Sequence, residues 1–274
     1  MKQRIITGLV LIALFLLLLF KGSAAIVLAV VISLSTLAYV EFDRLFFRVQ
    51  SPSRRVRMAL LVALSVLAIR QGGIWGWMFL WGSFVFYCVA QILYWRDQSD
   101  TESAVRAIAL EWLGYTYVVG LCGFLTPIVD LPHGRYFLLL LALIVFGGDT
   151  AAYFVGSRFG KHRLAPKISP KKSWEGSFAA IIASVILPCV WYYWVIDFRT
   201  ESGIPWHLVA VAPAISILAQ VGDLFESLLK RSQSIKDSGS FLPGHGGLLD
   251  RVDGLALASP FFYGYLLKFW GVGL

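Results

Sequence analysis

The chain has 274 residues, of which 58% are hydrophobic and only 15% are charged, and its mean hydropathy is +0.73. A soluble domain usually carries about 25% charged residues, so this composition excludes an ordinary soluble globular protein. The 24 Lys and Arg residues exceed the 16 Asp and Glu residues, which leaves a net charge of +8. That excess suits anionic lipid head groups or an anionic soluble substrate, and it does not indicate a nucleic-acid partner.

Apolar runs long enough to cross a bilayer recur from one end of the chain to the other, which predicts an all-α, polytopic integral membrane protein. Backbone groups in lipid must pair internally, so these runs are expected to be helices and not strands. The remaining residues leave no room for a separate soluble domain, and the function must therefore use helix ends and loops. Nine transmembrane helices are expected, at about residues 5–20, 23–40, 57–70, 74–95, 107–130, 135–156, 175–196, 206–229 and 253–271.

The basic residues predict the orientation of the chain. Most of the 24 Lys and Arg residues fall on one side of these nine spans, and this asymmetry predicts a cytoplasmic N-terminus and an outer C-terminus in the inner (cytoplasmic) membrane. The opening MKQR, the apolar run and GSAA also resemble a signal peptide, but a second apolar run follows at once and favours a retained span. Cys88, Cys122 and Cys189 lie in apolar runs and are interpreted as packing residues.

Polar residues are distributed unevenly, and this predicts two parts of the chain. Residues 1–130 are expected to be scaffold helices, with possible dimer contacts. Their basic segment 43–57 is explained by anchoring to anionic lipid, with a direct role in substrate binding as the alternative. Residues 131–274 carry ionisable groups within apolar segments, and we expect them to form the catalytic membrane helices and cytoplasmic loops.

The sixth span carries an acidic residue well inside an apolar helix. An ionisable group there costs about 2.5–3.5 kcal/mol even on the gentler insertion scales, so Asp149 is a candidate functional residue. Asp149, Tyr153, Gly156 and Gly160 are spaced i, i+4, i+7 and i+11 and share one helix face. The alternative is that the glycines allow close helix packing and that Asp149 binds a neighbouring helix.

The stretch KISPKKSWEGS, residues 167–177, follows this span. Lys171 and Lys172 are explained either as charges that anchor the inner side of the membrane or as phosphate contacts. Glu175 and Gly176 add polarity that anchoring does not require. We therefore predict a basic, phosphate-contacting loop beside the membrane.

The eighth span carries the strongest pattern. Asp223, Ser227, Lys230 and Arg231 follow i, i+4, i+7 and i+8, so one helical stripe runs from a carboxylate through a hydroxyl to two cations. A solvated face is the usual explanation of such a stripe. Here Gln220 is the one larger polar residue in the apolar run before Asp223. A carboxylate buried in an apolar run indicates function.

The segment KDSGSFLPGHGGLLDRVDG, residues 236–254, is rich in glycine. Glycines permit positive φ and close backbone approach, so successive N–H groups can form an anion-binding nest, although bland turns are the usual role of such loops. The segment is neither a Walker A loop nor a dinucleotide-binding G-x-G-x-x-G.

The same segment ends in carboxylates that can serve as metal ligands. Asp250 and Asp253 are spaced i, i+3, and with Asp223 they supply the hard oxygen atoms that Mg²⁺ prefers. His245 has no Cys or His partner at ligand spacing, which argues against Zn²⁺. Cations, carboxylates and a glycine-rich loop at one membrane face indicate phosphoryl or nucleotidyl transfer, because these reactions depend on charge neutralisation and positioning.

The segment from Ser227 to Asp253 resembles the signature of the phosphatidate cytidylyltransferases, also called CDP-diacylglycerol synthases. The stretches GDTAAYFVGSRFGKH and SPKKSWEG are similar to the same family, so the resemblance covers roughly residues 140–260. The residues that fit the signature are Ser227, Lys230, Arg231, Lys236, Asp237, Gly239, Pro243, His245, Gly246, Gly247, Asp250, Arg251 and Asp253.

The resemblance implies transfer of the cytidylyl group of CTP to phosphatidate, which gives CDP-diacylglycerol and pyrophosphate in phospholipid biosynthesis. It also implies an all-helical, commonly dimeric membrane fold, Mg²⁺ with a second monovalent cation such as K⁺, and Asp223 and Asp250 as the metal ligands. Catalytic roles are predicted for Asp223, Lys230, Arg231, Lys236, Asp250 and Arg251. Substrate-binding roles are predicted for Asp149, Tyr153, Lys171, Lys172, Glu175, Ser227, Asp237, Gly239, His245, Gly246, Gly247 and Asp253.

Three alternatives stay open from the sequence. The lipid substrate could be another lipid phosphate, such as an archaeal ether lipid. An ion-coupled transporter would also place carboxylates within membrane helices, but it would need no such constellation of cations and would release no pyrophosphate. A purely structural membrane protein would leave Asp149 and Asp223 unexplained.

Overall fold

The structure, a computed structural model, describes residues 2–47, 52–95, 100–195, 205–239 and 246–270. Within these ranges the chain forms ten α-helices and one two-stranded antiparallel hairpin. The helices are α1 (Lys2–Lys21), α2 (Ala24–Phe46), α3 (Pro52–Gln71), α4 (Gly73–Trp95), α5 (Thr101–Cys122), α6 (Leu125–Asp130), α7 (Gly134–Phe159), α8 (Trp174–Trp194), α9 (Trp206–Ser232) and α10 (Leu249–Trp270). The strands are β1 (Arg163–Ala165) and β2 (Ser169–Ser173).

The helices confirm the predicted all-α, multi-pass membrane fold. Every predicted apolar run coincides with a helix, and the fifth run is divided at Gly123 into α5 and α6. The prediction of nine spans is not confirmed. Among the described residues, five segments are long and apolar enough to cross a membrane: α2, Met78–Trp95 of α4, α7, α8 and α9. The hairpin lies in the polar stretch that was expected to be a loop.

The chain forms two compact units, one of Met1–Pro127 with Ser238–Leu249 and the other of Ile128–Asp237 with Asp250–Leu274. The predicted division of roles between a scaffold and a catalytic part at residue 130 stays a prediction. The unit boundaries show, however, that the flanks of the glycine-rich segment pack with the N-terminal helices.

In the first unit, α2 packs against α3 and α5 around buried aromatic and aliphatic side chains. A buried ionic network joins the same helices. Arg54 places one guanidinium nitrogen 2.8 Å from Asp43 Oδ1 and the other 3.1 Å from Glu111 Oε1, and Arg55 Nε lies 3.1 Å from Asp43 Oδ2. Tyr87 donates a hydrogen bond to Glu111 as well. These contacts give Arg54 and Arg55 of the basic segment an internal role in packing.

In the second unit, α7 packs against α8 and α9. Gly156 and Gly176 lie face to face, because a Cβ added at Gly176 would stand 2.8 Å from the carbonyl oxygen of Ala152 and 3.3 Å from Cα of Gly156. Gly160 lies against the side chain of Ser173, whose hydroxyl caps α8 by accepting a hydrogen bond from the N–H of Gly176. The packing explanation of Gly156 and Gly160 is therefore supported.

Another close approach brings α9 and α10 together. A Cβ at Gly222 would stand 2.5 Å from the carbonyl oxygen of Asp253, and a Cβ at Gly254 would meet Val145 of α7 at 3.0 Å. Each glycine is the sequence neighbour of an aspartate that was predicted to be functional. Contact between the helix backbones at this level therefore places Asp223 and Asp253 on adjoining helices at the same height.

We expect Gly222→Ala to destabilise the protein by about 1–3 kcal/mol, because the added methyl group would collide with backbone and not with a movable side chain. Apparent melting temperature in detergent measures this effect. Gly264→Ala in α10 is the matched control, since a Cβ there meets nothing within 4 Å. A melting temperature of Gly222→Ala equal to or above that of Gly264→Ala would contradict the close approach of α9 and α10.

Candidate functional site

The first group of charges in the second unit centres on Asp223. Lys172 of β2 places its Nζ 2.6 Å from Asp223 Oδ2, and Ser227 Oγ lies 3.5 Å from Asp223 Oδ1. The carboxylates of Asp149 and Asp253 lie close enough to Asp223 to interact with it electrostatically. The structure therefore brings together three predicted acidic residues from three helices and one predicted cation from the hairpin.

The second group centres on Lys230. Its Nζ lies 2.5 Å from Glu226 Oε2 on the same helix and 2.5 Å from Asp250 Oδ1 on α10. Glu226 is completely buried, and Asp250 has a side-chain exposure of only 7%. Asp253 interacts electrostatically with both Glu226 and Asp223, so the two groups belong to one polar region of the second unit.

Glu226 was not among the predicted site residues. Its signal was present in the sequence, because it stands three residues after Asp223 and four before Lys230 on the same apolar helix. Positions i, i+3 and i+7 share a helix face, so the stripe that predicted Asp223 and Lys230 also passes Glu226.

Helix α9 is held against α8 by a polar contact one turn from Asp223. Ser177 Oγ donates a hydrogen bond to Gln220 Oε1 at 2.5 Å, and Gln220 Nε2 lies 3.4 Å from Ser216 Oγ. Gln220 was noted in the sequence as the one larger polar residue before Asp223. Gln220 therefore joins α8 and α9 close to Asp223, the residue that Lys172 of β2 contacts.

Two further predicted residues make local contacts around the hairpin. Glu175 accepts hydrogen bonds from the backbone N–H of His162, and His162 Nδ1 lies 2.8 Å from its Oε1. Arg231 donates from Nε to the carbonyl oxygen of Ile168 at 3.3 Å and from Nη1 to that of Ile235 at 2.9 Å. Both side chains thus hold the hairpin against α8 and α9, and their predicted roles towards a substrate stay predictions.

The other predicted residues of the second unit lie at its surface. No described residue forms a hydrogen bond or an ion pair with the Asp149 carboxylate, and both explanations of this residue stay open. Arg251 interacts electrostatically with Asp149. The exposed residues are Asp149, Tyr153, Lys171, Lys236, Asp237 and Arg251.

Predicted residues of the glycine-rich segment fall in the first unit. Gly246 has a φ of +83°, as expected of a glycine in such a loop. Gly239 and Gly247 pack against the carboxylate of Glu41, a residue of α2 that sequence reasoning did not single out. His245 lies outside the described residues, so its predicted role stays a prediction.

The carboxylates suit Mg²⁺ by their donor chemistry. Over the described ranges, no group of three or more His, Cys, Asp or Glu side chains is arranged to hold a metal ion. Mg²⁺ is, however, commonly bound through one or two carboxylates together with substrate phosphates. Asp223 and Asp250 each hold an ammonium group within 2.6 Å, which shows that both positions accommodate positive charge. Asp223 and Asp250 as metal ligands stay a prediction.

The site is thus a cluster of carboxylate and ammonium groups on the helices and the hairpin of a multi-pass membrane protein. Comparison with known proteins defines the family: the model of the cytidylyltransferase family matches residues 2–269. The chain therefore belongs to the cytidylyltransferase family, which confirms the predicted family and the nucleotidyltransferase class of enzyme.

Individual relatives agree with this assignment. The phosphatidate cytidylyltransferase of Bacillus subtilis (strain 168) is 30% identical over 291 residues, an alignment that covers 98% of each chain. The proteins of that name from Haemophilus influenzae and Staphylococcus haemolyticus are 43% and 42% identical over 137 and 138 residues. Those two matches cover 48% and 50% of this chain and only 46% and 52% of the relatives, about half of their length.

We expect Lys230→Met to destabilise the protein by about 3–5 kcal/mol, because it leaves the buried Glu226 and Asp250 without their cation. Lys161→Met, an exposed lysine, is the matched control for the loss of one positive charge. The double variant Lys230→Met/Glu226→Gln should recover part of the lost melting temperature. Equal melting temperatures of Lys230→Met and Lys161→Met would show that the Lys230 ammonium group does not stabilise the two carboxylates.

Proposed function

We propose that the protein transfers the cytidylyl group of CTP to phosphatidate, giving CDP-diacylglycerol and pyrophosphate in phospholipid biosynthesis. The observation that carries the proposal is the pairing of two acidic residues with two lysines, Asp223 with Lys172 and Asp250 with Lys230. Family membership and the full-length relative from Bacillus subtilis support the same reaction.

The proposed step is an in-line attack by a phosphate oxygen of phosphatidate on the α-phosphorus of CTP. A new P–O bond joins the lipid phosphate to the α-phosphorus, while the bond to the β-phosphate breaks and pyrophosphate leaves. The lipid phosphate is already ionised near neutral pH, so no general base is required. The protein's contribution is therefore positioning and stabilisation of negative charge.

Lysines that are paired with carboxylates in the free protein are well suited to this task. When the triphosphate enters, Lys172 and Lys230 can turn from Asp223 and Asp250 towards phosphate oxygens, because a lysine side chain is long and flexible. Asp223 and Asp250 are then the residues that would hold Mg²⁺, which would neutralise charge on the triphosphate as pyrophosphate leaves. Arg231, Lys236 and Arg251 are proposed as further phosphate contacts.

Location and assembly follow the same proposal. We place the active site at the cytoplasmic face of the inner membrane, where CTP is available and where the basic residues are expected by the positive-inside rule. A homodimer and a second monovalent cation such as K⁺ remain predictions that rest on the family resemblance.

The direct test incubates detergent-purified protein with phosphatidate, CTP and Mg²⁺ and measures CDP-lipid and pyrophosphate. Product should require all three components, and Asp223→Ala and Asp250→Ala should abolish turnover while the protein stays folded. An ether-lipid phosphate in a parallel reaction tests the alternative lipid substrate. The proposal fails if folded wild-type protein makes no product, and the roles of the two aspartates fail if either variant keeps more than about a tenth of the activity.

We expect Lys172→Ala to lower kcat/KM for CTP at least about tenfold, because the triphosphate would lose one charge-assisted contact. Lys167→Ala is the matched control, since Lys167 is an exposed lysine of the same hairpin for which no role is proposed. Steady-state kinetics over a range of CTP concentrations distinguish the two variants. Equal losses in both would indicate a general effect of hairpin charge and would contradict a specific role of Lys172.

A further inference from the structure

The carboxylate of Glu41 joins the two flanks of the glycine-rich segment within the first unit. Leu248 N–H donates to Glu41 Oε1 at 3.0 Å, and Leu249 N–H donates to Oε2 at 2.9 Å. On the other flank, Ser238 Oγ donates to Oε2 at 3.2 Å. Glu41 itself lies near the C-terminal end of α2, about two hundred residues earlier in the chain, and it is buried.

Burial of a carboxylate requires compensation, and here backbone N–H groups supply it. Among the described residues, no Lys, Arg or His forms an ion pair with Glu41. Its two backbone donors stand at the start of α10, which begins at Leu249. Negative charge is favoured at a helix N-terminus, and hydrogen bonds to an ionised acceptor are roughly twice as strong as neutral ones. Glu41 therefore satisfies the backbone N–H groups of Leu248 and Leu249 from a distant part of the chain.

Two glycines of the segment make room for this carboxylate. A Cβ at Gly239 would stand 2.8 Å from Glu41 Oε1, and a Cβ at Gly247 would stand 2.6 Å from Oε2. A larger residue at either position would displace the carboxylate. The N–H groups of Leu248 and Leu249, which a nest could offer to a substrate anion, are already bound to an anion of the protein itself.

We propose that Glu41 is a positioning residue that fixes both flanks of the glycine-rich segment for nucleotide binding. Asp250, a proposed metal ligand, follows Leu249 directly in the chain. This inference rests on the proposed function. Glu41→Gln keeps the size of the side chain but places an amide NH₂ group among hydrogen-bond donors, and we expect it to raise KM for CTP about tenfold while KM for phosphatidate stays unchanged.

The matched control is Glu111→Gln. Glu111 is a second buried carboxylate of the first unit, but its partners are Arg54, Tyr87 and Gln91 and not the glycine-rich segment. Two readouts are compared, steady-state kinetics for each substrate and hydrogen–deuterium exchange of peptides that contain Leu248 and Leu249. A rescue pair completes the set: Gly239→Ala should impair CTP use by colliding with Glu41, and Glu41→Asp in the same chain should restore part of it.

Faster exchange at Leu248 and Leu249 in Glu41→Gln alone, with a raised KM for CTP alone, would support the proposal. Unchanged exchange would overturn the anchor, and faster exchange with unchanged kinetics would overturn its role in nucleotide binding. A loss in Glu111→Gln equal to that in Glu41→Gln would also overturn it. Absence of CDP-lipid from the wild-type protein would count against the proposed function, whereas the exchange comparison would still test whether Glu41 holds the segment.

Discussion

The ammonium group of Lys230 lies between a completely buried glutamate and an aspartate on the next helix, and the polar part of the second unit depends on this contact. Carboxylates in such surroundings are tolerable only when a cation lies close to them, because an unpaired charge there is costly. Lys172 and Asp223 repeat the arrangement nearby. The second unit therefore holds opposite charges close together in one polar region.

Close helix packing is the second requirement of this arrangement. Gly222 lets α10 approach α9 beside Asp223, and Gly156 and Gly176 do the same for α7 and α8. Because the helix backbones are in contact, side chains from α7, α9, α10 and β2 lie close to one another. In the first unit, a buried carboxylate joins distant parts of the chain, since Glu41 accepts hydrogen bonds from the N–H groups of Leu248 and Leu249.

Local sequence patterns predicted the part of this structure that lies within single helices. Apolar runs located the helices, and the spacing of Asp223, Ser227 and Lys230 identified the face of α9 that carries the ion pairs. The hairpin was not predicted, because its strands are short, polar and unlike typical β-sequences. Glu41 could not be recognised, because its partners lie about two hundred residues away and α2 gives no periodic signal for them. Contacts between distant segments follow from tertiary packing, which spacing along the chain does not encode.

Nucleotidyl transfer requires attack on the α-phosphorus of the nucleotide, and this can be measured with CTP labelled at either end of its triphosphate. Purified protein is supplied with phosphatidate, Mg²⁺ and CTP that carries radioactive phosphorus at the α- or the γ-position. The α-label should enter the lipid product, and the γ-label should leave as pyrophosphate. Transfer of γ-label to the lipid, or release of γ-label as inorganic phosphate without lipid labelling, would contradict nucleotidyl transfer and point to phosphoryl transfer or hydrolysis instead.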